Sequence, residues 1–296
     1  MTRQETTVRE PVQRVVTGSD GEPIAVADWL GAGGPLVCVH GLTSSSRVFT
    51  GIASELPDVR VVAIDCRGRG ESTKKGPFGL EQHAADLISV MDALDIDTAT
   101  LVGHSMGAFV VTAAASMAPR RANRVVFLDG GFFLPYEADP DELLNVLIGP
   151  YMEKFRRTWR DLEEYYAYFE ATPLYANGLD DYGRAHFAYD LQGEPGAMRA
   201  KIVEKCVGVD WREVLDQPTL ARRLEALRSP LLVIRAPGGL SGMGDALIPD
   251  AVRDLIISTV GGPTTVVDVP DTNHHTVLCS VAGARATAGA IREFMR

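Results

Sequence analysis

The sequence is poor in the residues that mark several classes of protein. Its 296 residues include only four cysteines, far apart and never in a C-x-x-C pair, which argues against a zinc site or a disulfide framework. No run approaches the roughly 20 apolar residues that a membrane-spanning helix needs. The first ten residues are polar and lack the apolar segment of a signal peptide. These absences predict a cytoplasmic protein.

Positive charge is also scarce. Lysine and arginine total 29 against 39 aspartates and glutamates, so the formal net charge is −10 at pH 7. An acidic surface without a basic stripe argues against nucleic acid and anionic membranes as partners. With 46% hydrophobic residues, the composition is that of an ordinary soluble domain. We therefore expect a small-molecule substrate, and a homodimer stays open as an alternative to a monomer.

Alternation between strand-like and helix-like segments predicts the fold class. Residues 12–17 and 24–30 flank the turn-rich "GSDGEP", which is typical of a hairpin. Later runs are short, apolar and rich in β-branched residues, as strands covered on both faces of a parallel sheet are. They are residues 36–40, 60–65, 99–104, 124–129, 231–236 and 264–269. Helical patterns lie between most of them, which predicts an α/β fold with a mostly parallel, doubly wound sheet and an N-terminal antiparallel hairpin.

One long interval interrupts this alternation. Between Asp129 and Leu231 the pattern is helical, and no convincing strand is found. We therefore predict a core of residues 1–131 and 229–296 with an inserted helical cap, residues 132–228. All eight tyrosines fall in this interval. Each ring either lines a pocket under the cap or packs the cap onto the core, and the sequence leaves both alternatives open.

A serine stands at the sharpest bend predicted for the core. The strand of residues 99–104 leads to Ser105 and then to a helical pattern over residues 106–117, with Gly103 and Gly107 on either side of the serine. Glycines lack the Cβ atoms that would clash in so tight a turn. The turn can therefore hold the serine in a strained conformation, with its hydroxyl exposed at the carboxyl end of the sheet as a nucleophile requires.

A nucleophilic serine also needs donors for the oxyanion that forms on the attacked carbonyl. The N–H of Met106 lies at the start of the helix after Ser105, where free N–H groups and the helix dipole favour negative charge. A second donor must come from another loop. A predicted strand ends at His40 and Gly41, and we predict that the N–H of Leu42, the next residue, is that donor. An ordinary strand-to-loop turn is the alternative.

The serine hydroxyl requires a base, which is usually histidine. His104 is expected to point away from the pocket, His83 is expected at the surface of a helix, and His186 lies in the predicted cap. The loop after the last predicted strand carries His274 and His275, and it emerges at the same edge of the sheet as the serine. We predict His274 as the base, with His275 as the alternative.

Four motifs in this order resemble one known family. They are "HG" at 40–41, "DCRGRGES" at 65–72, "GHSMG" at 103–107 and "NH" at 273–274. Together they are similar to the α/β-hydrolase fold superfamily, in particular to its esterase and lipase-like serine hydrolases. The resemblance covers roughly residues 10–131 and 229–296. It implies the same roles for the serine, the base and the two oxyanion donors as the residues themselves indicate, but it does not extend to the cap or to the substrate.

The resemblance also implies a catalytic acid that lies between the serine and the histidine along the chain. Asp245, which is followed by "ALIP", resembles the family's acid after the penultimate core strand, and four glycines lie between Arg235 and it. Asp129 follows the preceding predicted strand, where some members of the superfamily carry the acid. We predict Asp245, with Asp129 as the alternative acid.

These residues predict a serine hydrolase that cleaves a carboxylic ester or lactone through an acyl-enzyme intermediate. No cofactor and no metal are implied. Three alternatives stay open: hydrolysis of a carbon–carbon bond beside a ketone, transfer of the acyl group to another acceptor, and a ligand receptor of the same fold. The serine argues against haloalkane dehalogenation and epoxide opening, because family members with those activities use a carboxylate at its position.

Overall fold

An eight-stranded sheet is the central layer of the protein, seen in a computed structural model that describes residues 7–131, 139–242, 244 and 246–296. Numbered along the chain, the strands are β1 (Val12–Thr17), β2 (Pro23–Trp29), β3 (Gly33–Val39), β4 (Val59–Ile64), β5 (Ala99–His104), β6 (Ala122–Leu128), β7 (Leu191–Gln192), β8 (Arg199–Ala200), β9 (Leu231–Arg235) and β10 (Thr264–Asp268). The sheet order is β1-β2-β4-β3-β5-β6-β9-β10, while β7 and β8 pair separately. β2 is antiparallel to both β1 and β4, and the other neighbours in the sheet are parallel. The predicted fold class is confirmed.

Helices connect most of the strands. They are α1 (Thr50–Glu55), α2 (Leu80–Ala93), α3 (Met106–Met117), α4 (Pro140–Leu143), α5 (Gly149–Arg156), α6 (Leu162–Glu170), α7 (Asp181–Asp190), α8 (Glu204–Val214), α9 (Gln217–Ala226), α10 (Asp250–Thr259), α11 (Thr276–Cys279) and α12 (Val281–Phe294). A π-helical turn, Leu144–Ile148, joins α4 to α5. In the part of the chain that the structure describes, no helix has the length and apolar character that crossing a bilayer requires.

Alternate side chains of the central strands face two hydrophobic clusters, one on each side of the sheet. On β3, Val37 and Val39 belong to a cluster with residues of α2 and α3, whereas Leu36 and Cys38 belong to a second cluster with residues of α1 and α12. Both faces are covered, so these strands are apolar throughout rather than alternating. β10 differs, because it lies at the sheet edge and its residues are exposed or half-buried. Full burial of that run, which its sequence led us to expect, is wrong.

Helices dominate the interval between β6 and β9. It contains α4 to α9, and the division of the chain into core and cap remains a prediction. The expectation that this interval has no strand is wrong, because β7 and β8 pair antiparallel, Leu191 with Ala200 and Gln192 with Arg199. Strands of two residues are too short to produce an alternating pattern in a sequence.

The aromatic residues of this interval form a cluster of their own. Most of its ring pairs meet edge to face, for example Trp159 and Tyr165 with centroids 4.8 Å apart, a favoured geometry for aromatic side chains. The buried rings of the cluster are Trp159, Tyr165, Tyr166, Phe169, Tyr175 and Phe187. These three tyrosines pack against other residues of the interval itself, so their packing does not decide between the two alternatives. Tyr136 lies outside the described residues.

Three glycines allow β3, β5, α3 and the segment after β6 to meet at Ser105. A Cβ on Gly103 would lie 2.3 Å from the carbonyl carbon of Gly107, and a Cβ on Gly107 would lie 2.0 Å from the carbonyl oxygen of Val39. A Cβ on Gly130 would lie 2.4 Å from the carbonyl oxygen of Ser105. Each close neighbour is backbone, which cannot rotate away as a side chain can. Any larger residue at these positions must therefore displace the strand or the helix.

We expect Gly107→Ala to lower the free energy of unfolding by about 1 to 3 kcal/mol, because the new methyl group must displace β3. Gly289→Ala in α12 is the matched control, since both glycines are helical but nothing lies within 4 Å of a Cβ at Gly289. The control should gain roughly 0.5 to 1 kcal/mol, as an alanine does in a helix. Chemical denaturation measures both, and equal stability of the two variants would contradict the close packing at Ser105.

Candidate active site

Ser105 occupies the turn between β5 and α3 in a strained backbone conformation. Its φ is 54° and its ψ is −121°, a combination that residues other than glycine rarely adopt. The turn is held from both sides, since the Ser105 N–H donates to the Leu128 carbonyl at 3.1 Å and the Ala108 N–H donates to the Ser105 carbonyl at 3.0 Å. Ser105 is half-buried and borders two cavities. A substrate in either cavity can therefore reach it.

His274, in the loop between β10 and α11, contacts a buried carboxylate. Its Nδ1 lies 2.8 Å from Oδ2 of Asp129, which directly follows β6 and is completely buried. The second carboxylate oxygen of Asp129 accepts a hydrogen bond from the Ala236 N–H at 3.2 Å. Because a carboxylate only accepts, the imidazole hydrogen lies on Nδ1 and Nε2 is left as a proton acceptor. This is the tautomer that a base for a serine hydroxyl needs.

The acid ranked first from the sequence, Asp245, lies outside the described residues. The carboxylate in contact with His274 is Asp129, which the sequence analysis kept as the alternative. Its position has a simple cause: β6 is the sheet neighbour of β5, so the residue after β6 lies beside the turn that follows β5. The geometry of His274 therefore gives no support to the ranking of Asp245 above Asp129.

The two residues predicted to supply oxyanion donors both lie beside Ser105. Met106 is the first residue of α3, and Leu42 lies in the loop after β3. Together with Ser105, both border the larger of the two cavities. The loop passes directly over the serine, because a Cβ on Gly41 would lie 3.0 Å from the Ser105 Cβ. The structure thus brings the predicted nucleophile and the two predicted donor residues together.

Two further histidines, His104 and His275, lie beside His274. The expectation that His104 points away from the pocket is wrong, because it borders the smaller cavity and its Nε2 donates to the His274 carbonyl at 2.9 Å. That hydrogen bond holds the loop of the candidate base. His275 borders the same cavity, and its ring stacks on Tyr151 with centroids 6.0 Å apart. Burial lowers the pKa of both His104 and His275 well below the usual value, so both are neutral at pH 7.

Two other histidines, His83 and His40, have structural contacts. His83 was expected at the surface, but it is completely buried and its Nε2 lies 3.0 Å from Oδ2 of Asp210 in α8. His40 donates from Nδ1 to the Gly41 carbonyl at 2.8 Å and accepts at Nε2 from the Cys66 N–H at 3.0 Å. Burial lowers the pKa of His40 to about 4, which keeps it in this neutral form. The His83–Asp210 and His40–Cys66 contacts join parts of the chain far apart in sequence.

The two cavities at Ser105 differ in chemical character. The apolar cavity is lined mostly by aliphatic side chains, and Ser105 supplies its one hydroxyl among the lining residues that the structure describes. Its lining is Leu42, Ser105, Met106, Leu147, Ile148, Trp211, Val214, Leu240 and Leu247. The smaller cavity, which we call the histidine cavity, shares Leu42, Ser105, Ile148 and Leu240 with the apolar cavity and adds polar groups. These are contributed by Thr43, Ser44, His104, Tyr151, His274 and His275.

Comparison with known proteins agrees with the fold. A family model described as the alpha/beta hydrolase fold matches residues 34–278. The chain belongs to this family. This α/β hydrolase is 26% identical over 257 residues to a 3-hydroxybutyrate-oligomer hydrolase of Cupriavidus necator, covering 81% of the chain and 82% of that protein.

Other relatives of this α/β hydrolase have different reactions in their names. A 2-succinyl-6-hydroxy-2,4-cyclohexadiene-1-carboxylate synthase of Serratia proteamaculans is 26% identical over 260 residues, covering 88% of the chain and 92% of that protein. The crystal structure of E-2-(acetamidomethylene)succinate hydrolase superposes with a TM-score of 0.79 at 24% identity, covering 96% of this chain and 99% of that chain. These proteins share the fold with this chain, but the reactions in their names differ.

We expect Asp129→Asn to lower kcat by about 10³- to 10⁴-fold, because an asparagine in this position would favour the wrong histidine tautomer. Asparagine tolerates the positive φ of 45° at this residue, so the fold should survive. Asp245→Asn is the matched control and should lower kcat by less than about tenfold. Both are assayed with one activated ester after circular dichroism. A larger loss in Asp245→Asn would return the acid role to Asp245.

Proposed function

We propose that this α/β hydrolase cleaves carboxylic esters or lactones through an acyl-enzyme on Ser105. The observation that carries the proposal is the 2.8 Å contact between His274 Nδ1 and Asp129, beside a serine held in a strained and accessible turn. A serine hydroxyl is a poor nucleophile unless a base accepts its proton, and an oriented imidazole meets that need.

In this mechanism the Ser105 oxygen attacks the substrate carbonyl while Nε2 of His274 takes the hydroxyl proton. Asp129 holds the imidazole and stabilises its protonated form, and the N–H groups of Leu42 and Met106 bind the tetrahedral oxyanion. His274 then protonates the leaving oxygen. Water attacks the acyl-enzyme with His274 again as base, which releases the acid and restores the serine.

Asp129 therefore takes the acid role in place of Asp245. An imidazole has two ring nitrogens, and the mechanism leaves only Nδ1 for a carboxylate when Nε2 serves the serine. That nitrogen is in contact with Asp129. The same logic favours His274 over His275 as base, because a carboxylate contacts the ring of His274, whereas the ring of His275 stacks on Tyr151.

The position of the base also orients the substrate. His274 must deliver a proton to the leaving oxygen, so the leaving alcohol belongs in the histidine cavity, which His274 borders. The acyl group then occupies the apolar cavity beside Leu42 and Met106. Burying an apolar chain there is favourable by about 0.8 kcal/mol for each methylene group. We infer an ester with an apolar acyl group and a polar leaving group.

A panel of substrates tests the proposed reaction. Oxyesters, lactones, thioesters and a 1,5-diketone are assayed with the wild-type protein and with Ser105→Ala, and a fluorophosphonate is used to label both. We expect turnover of oxyesters or lactones, and one adduct on the peptide that contains Ser105. Turnover of the diketone alone would replace ester hydrolysis with carbon–carbon cleavage. Labelling without turnover of any substrate would favour a receptor.

A substitution in the apolar cavity tests the proposed orientation of the substrate. Leu147→Trp should fill part of it and lower kcat/KM for octanoyl esters by about tenfold or more, while acetyl esters change by less than about threefold. Val146→Trp is the matched control, because Val146 is 66% exposed and is not among the described lining residues. An equal effect of Leu147→Trp on both acyl lengths would place the acyl group elsewhere.

A further inference from the structure

The loop that carries Leu42 is held by two buried cations. We call residues 41–45 the oxyanion loop. The Leu42 carbonyl accepts two hydrogen bonds from the Arg69 guanidinium, from Nε at 3.1 Å and from Nη2 at 2.9 Å. The next carbonyl, of Thr43, accepts from Nζ of Lys154 at 3.1 Å. Arg69 is 1% exposed and Lys154 is 4% exposed, so solvent screens neither contact.

Each cation is paired with an aspartate from the helical interval between β6 and β9. Nη1 of Arg69 lies 2.5 Å from Oδ2 of Asp210 in α8, and Nζ of Lys154 lies 3.6 Å from Oδ2 of Asp190 in α7. Asp190 also accepts from the Ser45 hydroxyl at 3.1 Å, which is a direct contact with the loop. Buried charges are stable only when they are paired and hydrogen-bonded, as these are.

Asp210 is anchored to the core as well. Its Oδ1 accepts from the Gly79 N–H at 2.8 Å, and its Oδ2 lies 3.0 Å from Nε2 of His83. Burial alone would raise the pKa of Asp210, but the charges and hydrogen bonds of Arg69 and His83 outweigh it and lower the pKa to about 2. The carboxylate is therefore ionised at neutral pH and can orient the Arg69 fork.

We propose that the ion pairs Asp210–Arg69 and Asp190–Lys154 position the oxyanion loop, so that the helical interval contributes to stabilising the transition state. This inference rests on the function proposed above. Oxyanion donors are effective because they are already in place when charge develops, and a displacement of about 1 Å can cost 100-fold in rate. A planar guanidinium that binds one carbonyl with two nitrogens fixes its direction as a lysine would not.

The test uses the variants Asp210→Asn and Arg69→Lys. If either fails to fold, Asp190→Asn is measured in its place. Each is measured for kcat, for KM, and for inhibition by a trifluoromethyl ketone, which forms a tetrahedral oxyanion, and by the product acid, which does not. We expect kcat to fall by about 10- to 100-fold and inhibition by the ketone to weaken by a similar factor. KM and inhibition by the acid should change by less than about threefold.

Asp86→Asn is the matched control. The Asp86–Arg67 pair is as deeply buried as the Asp210–Arg69 pair. In the described part of the chain, the side-chain hydrogen bonds of Asp86 and Arg67 lie outside the oxyanion loop. The control should lose stability but keep kcat and ketone inhibition. If Asp210→Asn also loses only stability, the pair is structural and the inference is wrong.

Fluorophosphonate labelling separates this inference from the proposed function. Labelling of Ser105 also builds negative charge on an oxygen at the oxyanion site, whatever the natural substrate is. If the wild-type protein hydrolyses no ester but Asp210→Asn labels about 10- to 100-fold more slowly, the proposed function fails and the positioning role stands. If esters are hydrolysed and Asp210→Asn labels at the wild-type rate, the positioning role fails alone.

Discussion

The backbone of Ser105 is the constraint on which the rest of the site depends. A φ of 54° at a residue with a side chain is unfavourable by about 1 to 3 kcal/mol and persists only where the surroundings enforce it. Here the surroundings are β5, α3 and the segment after β6, which approach closely because Gly103, Gly107 and Gly130 have no side chains. The same approach places Asp129 next to the turn. One tight junction thus positions both the proposed nucleophile and the proposed acid.

Buried charge organises the other side of the site. The protein carries a net charge of −10, yet the loop over Ser105 is held by two cations, Arg69 and Lys154. Their aspartate partners come from α7 and α8, so the helical interval and the loop after β3 form one connected network. The cavity proposed for the acyl group is bordered by Leu42 of this loop and by Trp211 and Val214 of α8. Helix α8 therefore contributes both to this cavity and to the support of the loop.

Local patterns could be predicted from the sequence, and pairings between distant residues could not. The strands of the sheet have apolar runs and Ser105 stands between two glycines, so a short window of sequence contains the signal. The choice between Asp129 and Asp245 depends on which carboxylate the fold brings to His274, and Asp129 lies 145 residues away from it. The burial of His83 depends likewise on Asp210, 127 residues away. The role of Arg69 could not be predicted from its own motif, because its side-chain partners lie in α8 and in the loop after β3.

Rapid-quench mass spectrometry tests the central claim, an acyl-enzyme on Ser105, most directly. The wild-type protein is mixed with an apolar acyl ester, stopped in acid within the first turnover and digested. The account predicts a mass increase equal to the acyl group on the peptide that contains Ser105, formed at the rate at which the alcohol is released. An ester hydrolysed at full rate with no acylated peptide, or with the acyl group on another residue, would contradict it.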